Sequence, residues 1–319
     1  MPAAVVPSAE IEQLAREAGF DLCGFARPEP IPAHYLGQWL EAGYHADMDW
    51  MATRVAERLD VRALLPEART LVSLACNYYW WDPSVEQSPV SRYARGRDYH
   101  ATLKDRIRNF RRFLKERWPD IRTYSSVDTG PVMERVWAVR AGLGYIGRNG
   151  CLITPQFGSW VFLGTMALDL EVDAYAAEPA PDQCGACTLC IDSCPTEAIV
   201  SERVVDARRC LSYQTIENEA EVPAPIRETF RNLVFGCDIC QQVCPLNLAP
   251  VPGGQRFAPR AVASLGVREL AALTREQFTE FTQGTPLARA GYDGLRRNAA
   301  YALGAMRDVE ARPILEKLT

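Results

Sequence analysis

No apolar run in this chain approaches the ~18 residues needed to cross a bilayer as a helix, which excludes an ordinary membrane-spanning segment. Positive charge is not in excess either: 35 Lys and Arg face 40 Asp and Glu, for a formal net charge of −5. A protein that coats nucleic acid by bulk charge is thereby excluded, leaving a local basic surface as the only route to such a partner. The start, Met-Pro-Ala-Ala-Val-Val-Pro, is apolar but short and lacks a basic region, so no secretory signal is expected. No P-loop is present to cradle a nucleotide phosphate. What the chain does have is length and thiols. With 319 residues, 48% apolar and 24% charged, it can bury a sizeable core in two domains, or in one large domain with appendages. Eleven cysteines without an export signal predict a cytoplasmic protein whose thiols stay reduced and free for metal.

Eight of those cysteines fall between residues 184 and 245. Cys184, Cys187, Cys190 and Cys194-Pro195 form a C-x2-C-x2-C-x3-C-P run. Cys237, Cys240 and Cys244-Pro245 repeat its second half, and Cys210 stands between the two. A four-iron cube takes three thiolates from one short loop, while the fourth cysteine of such a run ligates the other cluster. The spacing therefore predicts one cluster on Cys184, Cys187, Cys190 and Cys244, and a second on Cys210, Cys237, Cys240 and Cys194. Cys210 replaces the missing first cysteine of the second run, across an insertion of about two helices. Structural zinc also takes four thiolates, but zinc motifs rarely repeat this cadence with its proline. Disulfides do not suit a cytoplasmic chain.

Ahead of the cysteines, strand and helix signals alternate. Ser8 can cap a helix with Ile11, Leu14, Ala15 and Ala18 on one face and Gly19 as its stop. Strands are expected at 20–26, 69–79, 121–127 and within 160–173, and an irregular helical segment at 28–65. Residues 102–118 form an amphipathic helix whose outer face carries Lys104, Arg106, Arg108, Arg111, Arg112, Lys115 and Arg117. A solvated face is the preferred reading of that stripe over a nucleic-acid contact. Gly142-Leu-Gly144-Tyr-Ile-Gly147 is formally G-x-G-x-x-G, but it follows a helix and runs into a turn, so a dinucleotide site is rejected. Its glycines are expected to permit a tight turn or a close backbone approach to a ligand. After Pro252-Gly253-Gly254 the chain turns helical, ending in a pair at 294–317 of HEAT-repeat type that must dock on its neighbour.

Clusters pass single electrons, so two of them beside a separate domain predict a redox site with a further cofactor. No D-x-H-x-x-G loop is present; Asp98-Tyr-His100 fails because position 103 is Leu. Asp128, where a strand ends at Thr-Gly-Pro131, is the candidate proton donor. Equally, it can cap the helix expected at 131–141. To serve as an acid near neutral pH it has to stay protonated, so a raised pKa from burial beside the further cofactor is expected.

The combination of Ser91-Arg-Tyr-Ala-Arg-Gly-Arg-Asp-Tyr-His100, Asp128-Thr-Gly-Pro131, Arg140-Ala-Gly-Leu-Gly-Tyr-Ile-Gly-Arg-Asn149, Leu152-Ile-Thr-Pro155 and Cys210-Leu-Ser-Tyr213-Gln-Thr-Ile-Glu217 resembles the epoxyqueuosine reductases over nearly the whole chain. The resemblance implies an oxidoreductase that reduces the epoxide of epoxyqueuosine at the tRNA wobble position to queuosine. It implies two 4Fe-4S clusters feeding cobalamin held without a lower base ligand, with Asp128 as proton donor beside it. Arg58, Ser91, Thr154, Ser212 and Gly236, together with Asp128, fall where that family contacts the corrin. The implied partners are a tRNA with a GUN anticodon and a flavodoxin or ferredoxin donor, with no membrane and a monomeric state. The implied architecture is an α/β (α+β) cobalamin domain at 1–174, a two-cluster ferredoxin-like domain at 175–255 and a HEAT-like helical segment at 256–319. A cobalamin-dependent small-molecule reductase of the reductive-dehalogenase type is the alternative, and a non-catalytic electron carrier a further one.

Overall fold

The computed structural model describes residues 5–317; the outermost ends of the first and last expected domains, 1–4 and 318–319, lie outside it. The N-terminal part is built on four strands in the order Leu22–Ala26, Thr70–Asn77, Val161–Leu168 and Thr123–Ser126, every neighbouring pair antiparallel. Of the two sheet classes expected, this is the α+β one. Every residue of Thr70–Asn77 is buried. Val72 and Leu74 pack with the helices Ser8–Glu17 and Tyr99–Arg117 through Ile11, Leu103, Ile107 and Phe110. Leu71 turns the other way, toward Trp137 of the Glu134–Arg140 helix. A strand covered on both faces is apolar throughout whichever way its neighbours run. That is why its composition predicted burial but not direction.

Of two expected local features, one differs in the structure and the other, the glycine-permitted tight turn, is present with Gly142 at φ 75°. Ser8 opens its helix rather than capping it: Pro7 precedes the first turn, and the Ser8 N–H is donated to Asp173 Oδ1 (2.7 Å). The glycines after the Glu134–Arg140 helix serve chain packing. A Cβ at Gly144 would strike the Ile153 carbonyl, and one at Gly147 the Ile153 side chain, across the pair Tyr145–Ile146 and Leu152–Ile153. Their close backbone approach is to the chain itself.

The cysteine-rich part places the short helices Leu189–Asp192 and Ile239–Gln242 at its two cysteine runs. The Cys210 insertion contributes the helices Leu211–Ile216 and Ala224–Arg227. The C-terminal helices Val267–Ala272, Arg275–Thr282, Gly291–Ala305 and Arg312–Leu315 do not stand alone. Their core, with Leu270, Leu295, Ala299 and Leu303, also takes in Val90, Ala94, Val234 and Phe235. Buried Asn298 fastens this contact by donating to the Thr215 and Val234 carbonyls (2.7 and 3.0 Å). The 90–98 segment is thus held by all three parts: Ser91 N–H donates to Phe235 O (2.8 Å) and Asp98 N–H to Gly284 O (2.8 Å).

Candidate active site and iron-sulfur centres

Asp128 leaves the sheet two residues beyond the Thr123–Ser126 edge strand, with its backbone in the left-handed region at φ 57°. Outside glycine this conformation is costly, and Asp and Asn adopt it more readily than most residues. It is held from three sides. Its N–H donates to Glu134 Oε1 (2.9 Å), and its Oδ2 accepts from Tyr99 Oη (2.9 Å). His100 Nε2 lies 3.0 Å from the same oxygen.

Tyr99 and His100 open the Tyr99–Arg117 helix, and Asp98 caps it by accepting the His100 N–H (2.9 Å). The same Asp98 oxygen lies 2.9 Å from His100 Nδ1. One helix cap therefore sets the backbone start and also orients an imidazole between two carboxylates. Tyr99 is wedged between the rings of His100 and Phe162, at centroid distances of 4.1 and 4.4 Å.

The charges follow from these contacts. The hydrogen bond with His100 holds the Asp128 carboxyl below the usual carboxylate range, against its partial desolvation and with help from Tyr99. Burial works against a charged His100, yet its hydrogen bonds to Asp128 and Asp98 raise it to about 9. Burial pushes Glu134 up to about 8. Near neutral pH the site thus holds an ionised Asp128, an imidazolium and a protonated Glu134. The raised pKa expected of an Asp128 buried beside the corrin is not what the protein's own side chains produce: they set the carboxyl the other way. The Asp128 side chain is 57% exposed, and the adjacent imidazole outweighs desolvation. Asp128 is not a helix cap either: the Glu134–Arg140 helix starts after Met133 without a side-chain cap.

Arg289 enters from the C-terminal part. It makes a forked ion pair with Glu217, its closest contact 2.7 Å, and lies 5.6 Å over the ring of Trp50, which is 44% exposed. Its charge adds to the depression of the Asp128 pKa.

All eleven cysteines are free. Among the described residues no three His, Cys, Asp or Glu side chains close to the spacing of a single ion. Instead Cys184, Cys187, Cys190 and Cys244 line one cavity of about 80 Å³, the wider arrangement that a four-iron cube needs. Cys210 lies within electrostatic reach of Cys194, Cys237 of Cys210 and Cys194, and Cys240 of Cys237 and Cys210. Both quartets fit such clusters. Half-buried Cys151 lies within electrostatic reach of Cys190 and Cys210, one from each set.

Of the positions aligned with corrin contacts, three come together. Gly236, at φ 72°, passes so close to Ser91 that a Cβ would strike its hydroxyl. The Gly236 N–H donates to Thr215 Oγ1 (2.8 Å), which also contacts the Ser212 carbonyl (3.2 Å). The side chains of the other two positions are engaged with nearby chain. Arg58 donates to the Thr53 and Trp50 carbonyls (3.2 and 2.8 Å), and Thr154 closes a turn with Gly158 O and Phe157 N. Sequence reasoning gave no role to Glu134, Arg289 or Trp50, and met Asp98 and His100 as a failed motif and, without a role, within the 91–100 stretch of the resemblance. No local pattern marks any of them as facing Asp128.

A double-cluster electron-transfer domain set against a carboxylate–imidazole site defines an iron-sulfur oxidoreductase. Residues 183–247 match the family described as "4Fe-4S double cluster binding domain", and 58–129 match "Epoxyqueuosine reductase QueG, DUF1730". The epoxyqueuosine reductase of Gloeobacter violaceus is 42% identical, over 94% of this chain and 97% of its own. That of Cyclobacterium marinum is 38% identical, over 90% and 94%. A crystal structure of epoxyqueuosine reductase with an epoxyqueuosine-modified tRNA-Tyr stem loop superposes with a TM-score of 0.88 at 30% identity, covering 97% of this chain and 84% of that one. The chain belongs to the epoxyqueuosine reductase family.

Proposed function

We propose that this protein reduces the epoxide of epoxyqueuosine in tRNA to queuosine, using the two thiol quartets for electrons and Asp128 for protons. The observation that carries the reading is the joint presence, in one fold, of a cavity lined by four cysteines, a second group of four cysteines within electrostatic reach of one another, and an exposed carboxylate held by Tyr99 and His100. Cys184, Cys187, Cys190 and Cys244 hold one cluster, and Cys194, Cys210, Cys237 and Cys240 the other. Ser91, Ser212 and Gly236 would hold cobalamin, the missing Cβ of Gly236 letting its backbone pack against the Ser91 hydroxyl. When bound, cobalamin supplies the low-potential chemistry at carbon that side chains and one-electron clusters lack.

The protein's own groups do the rest. Tyr99 and His100 aim the Asp128 carboxyl, which hands a proton to the oxygen leaving the epoxide carbon. Arg289 and exposed Trp50 border the same opening, a cation and an aromatic face suited to a phosphodiester and a base. The substrate tRNA carries a GUN anticodon, the electron donor is a flavodoxin or ferredoxin, and the enzyme works as a cytoplasmic monomer. Among the described residues no helix is long and apolar enough to cross a membrane. The small-molecule reductase alternative is not favoured, because the family is named for a tRNA nucleoside substrate.

The deciding experiment reconstitutes the protein anaerobically with iron, sulfide and cobalamin, then supplies reduced flavodoxin and tRNA bearing epoxyqueuosine. Queuosine in the nuclease digest is the expected product. Failure on that tRNA, with turnover of a halogenated phenol instead, would overturn the assignment.

A further inference from the structure

We infer that His100, clamped between Asp98 and Asp128, is the positioning residue that keeps Asp128 supplied with protons during epoxide reduction. This rests on the function proposed above and extends it to a second group. Converting an epoxide to an alkene consumes two electrons and two protons and releases water. One C–O bond breaks and its oxygen takes a proton to become hydroxyl; the second C–O bond then breaks and the hydroxyl leaves as water with another proton. The two clusters account for the electrons, one each. A single carboxyl accounts for one proton, and Asp128 rests ionised, so another group must load it and then reload it.

His100 is the group placed to do so. Its Nε2 lies 3.0 Å from Asp128 Oδ2, while Nδ1 is held 2.9 Å from Asp98 Oδ1. Ring stacking on Tyr99 fixes its plane, and its side chain is 26% exposed, enough to be recharged from solvent. The surroundings favour a stored proton. On its own element and cap stand Asp98, Tyr99 and, near Asp98, Lys104; from the loop after the edge strand comes Asp128, from the following helix Glu134, and from the C-terminal part Arg289. Burial opposes a charged ring, but the two carboxylates in direct contact outweigh it, consistent with an imidazole raised to about 9. Each transfer moves one proton from Nε2 to Oδ2 and onward to the leaving oxygen, returning Asp128 to its ionised state. Glu134 is not in this line, because its hydrogen bond reaches the Asp128 main-chain N–H and not its carboxyl.

The chain contains only three histidines, His34, His45 and His100, so imidazole NMR of the reconstituted, oxidised holoenzyme resolves them individually. His100→Gln assigns the signal and keeps a donor toward Asp128 without a transferable proton. The expected results are one histidine titrating near 9, shifted downward in Asp98→Asn and in Asp128→Asn. Turnover in His100→Gln should fall about a hundredfold with KM for tRNA within about twofold, and the alkaline limb of the pH profile should vanish. Added imidazole should restore part of the turnover of His100→Ala. An imidazole titrating at its ordinary value, or a His100→Gln enzyme with wild-type turnover and an unchanged alkaline limb, would overturn the inference. Should the wild type fail on epoxyqueuosine tRNA, the proposed function falls, while the NMR titration still decides whether His100 stores the proton.

Discussion

Replacing Asn298 with alanine removes the pin between the C-terminal helices and the second iron-sulfur centre. Its amide is fully buried and donates to the Thr215 and Val234 carbonyls, while its Oδ1 accepts from Arg297. Thr215 lies in the Leu211–Ile216 helix that begins just after Cys210, and Val234 lies three residues before Cys237. One side chain therefore ties together the two chain segments that carry Cys210 and the Cys237–Cys240 pair. Alanine leaves two buried carbonyls without this donor at about 1–3 kcal/mol each. With some relaxation, the expected loss is about 2–5 kcal/mol, a large part of the ~5–15 kcal/mol that holds a typical protein folded. Urea unfolding of the reconstituted protein measures the loss. A chelator challenge followed by EPR should show the Cys210 cluster leaving first while the Cys184 cluster persists. Asn298→Asp should be worse, since it sets a negative charge against two carbonyls. A loss below about 1 kcal/mol with both clusters released at wild-type rates would refute the pinning role.

The reconstituted wild type should carry about eight irons, and Cys244→Ala and Cys210→Ala about four each, with Cys244→Ala losing the cluster of the first run; zinc in place of iron would contradict the ligand sets. Asp128→Asn should fold, keep both clusters and lose at least about a hundredfold in turnover, and near-normal turnover would remove the carboxyl from the mechanism. Arg111 is tied to Thr123 and Ser125, and Arg112 to Glu116 and the ring of Phe113. Their double alanine variant should therefore bind tRNA with unchanged affinity and salt dependence, and a flatter salt slope would place phosphates on that helix. Glu134 has a folded pKa near 8, raised by burial, so its favourable contribution is complete below the unfolded carboxyl value and is lost as pH rises through about 8. Glu134→Gln should accordingly gain stability relative to wild type from weakly acidic pH up to about 8 and hold that gain above it, as thermal melts across pH would record.

The double-cluster domain was readable from sequence because a cube closes on a short loop, and the spacing Cys184, Cys187, Cys190 is that of such a loop. The buried strand at Thr70–Asn77 and the apolar face of Tyr99–Arg117 were readable for a similar reason, since burial on a periodic backbone leaves a periodic trace. Strand direction left none, because a strand covered on both faces has the same composition in either orientation. The electrostatics at Asp128 left none either. Whether a carboxyl rises or falls in pKa depends on what faces it, and His100, Glu134 and Arg289 reach it from separate parts of the chain. Sequence alone therefore marked Asp128 as the acid to watch. Only the tertiary structure decided that it rests ionised against a charged imidazole, because only packing brings those charges within 3.0 Å of each other.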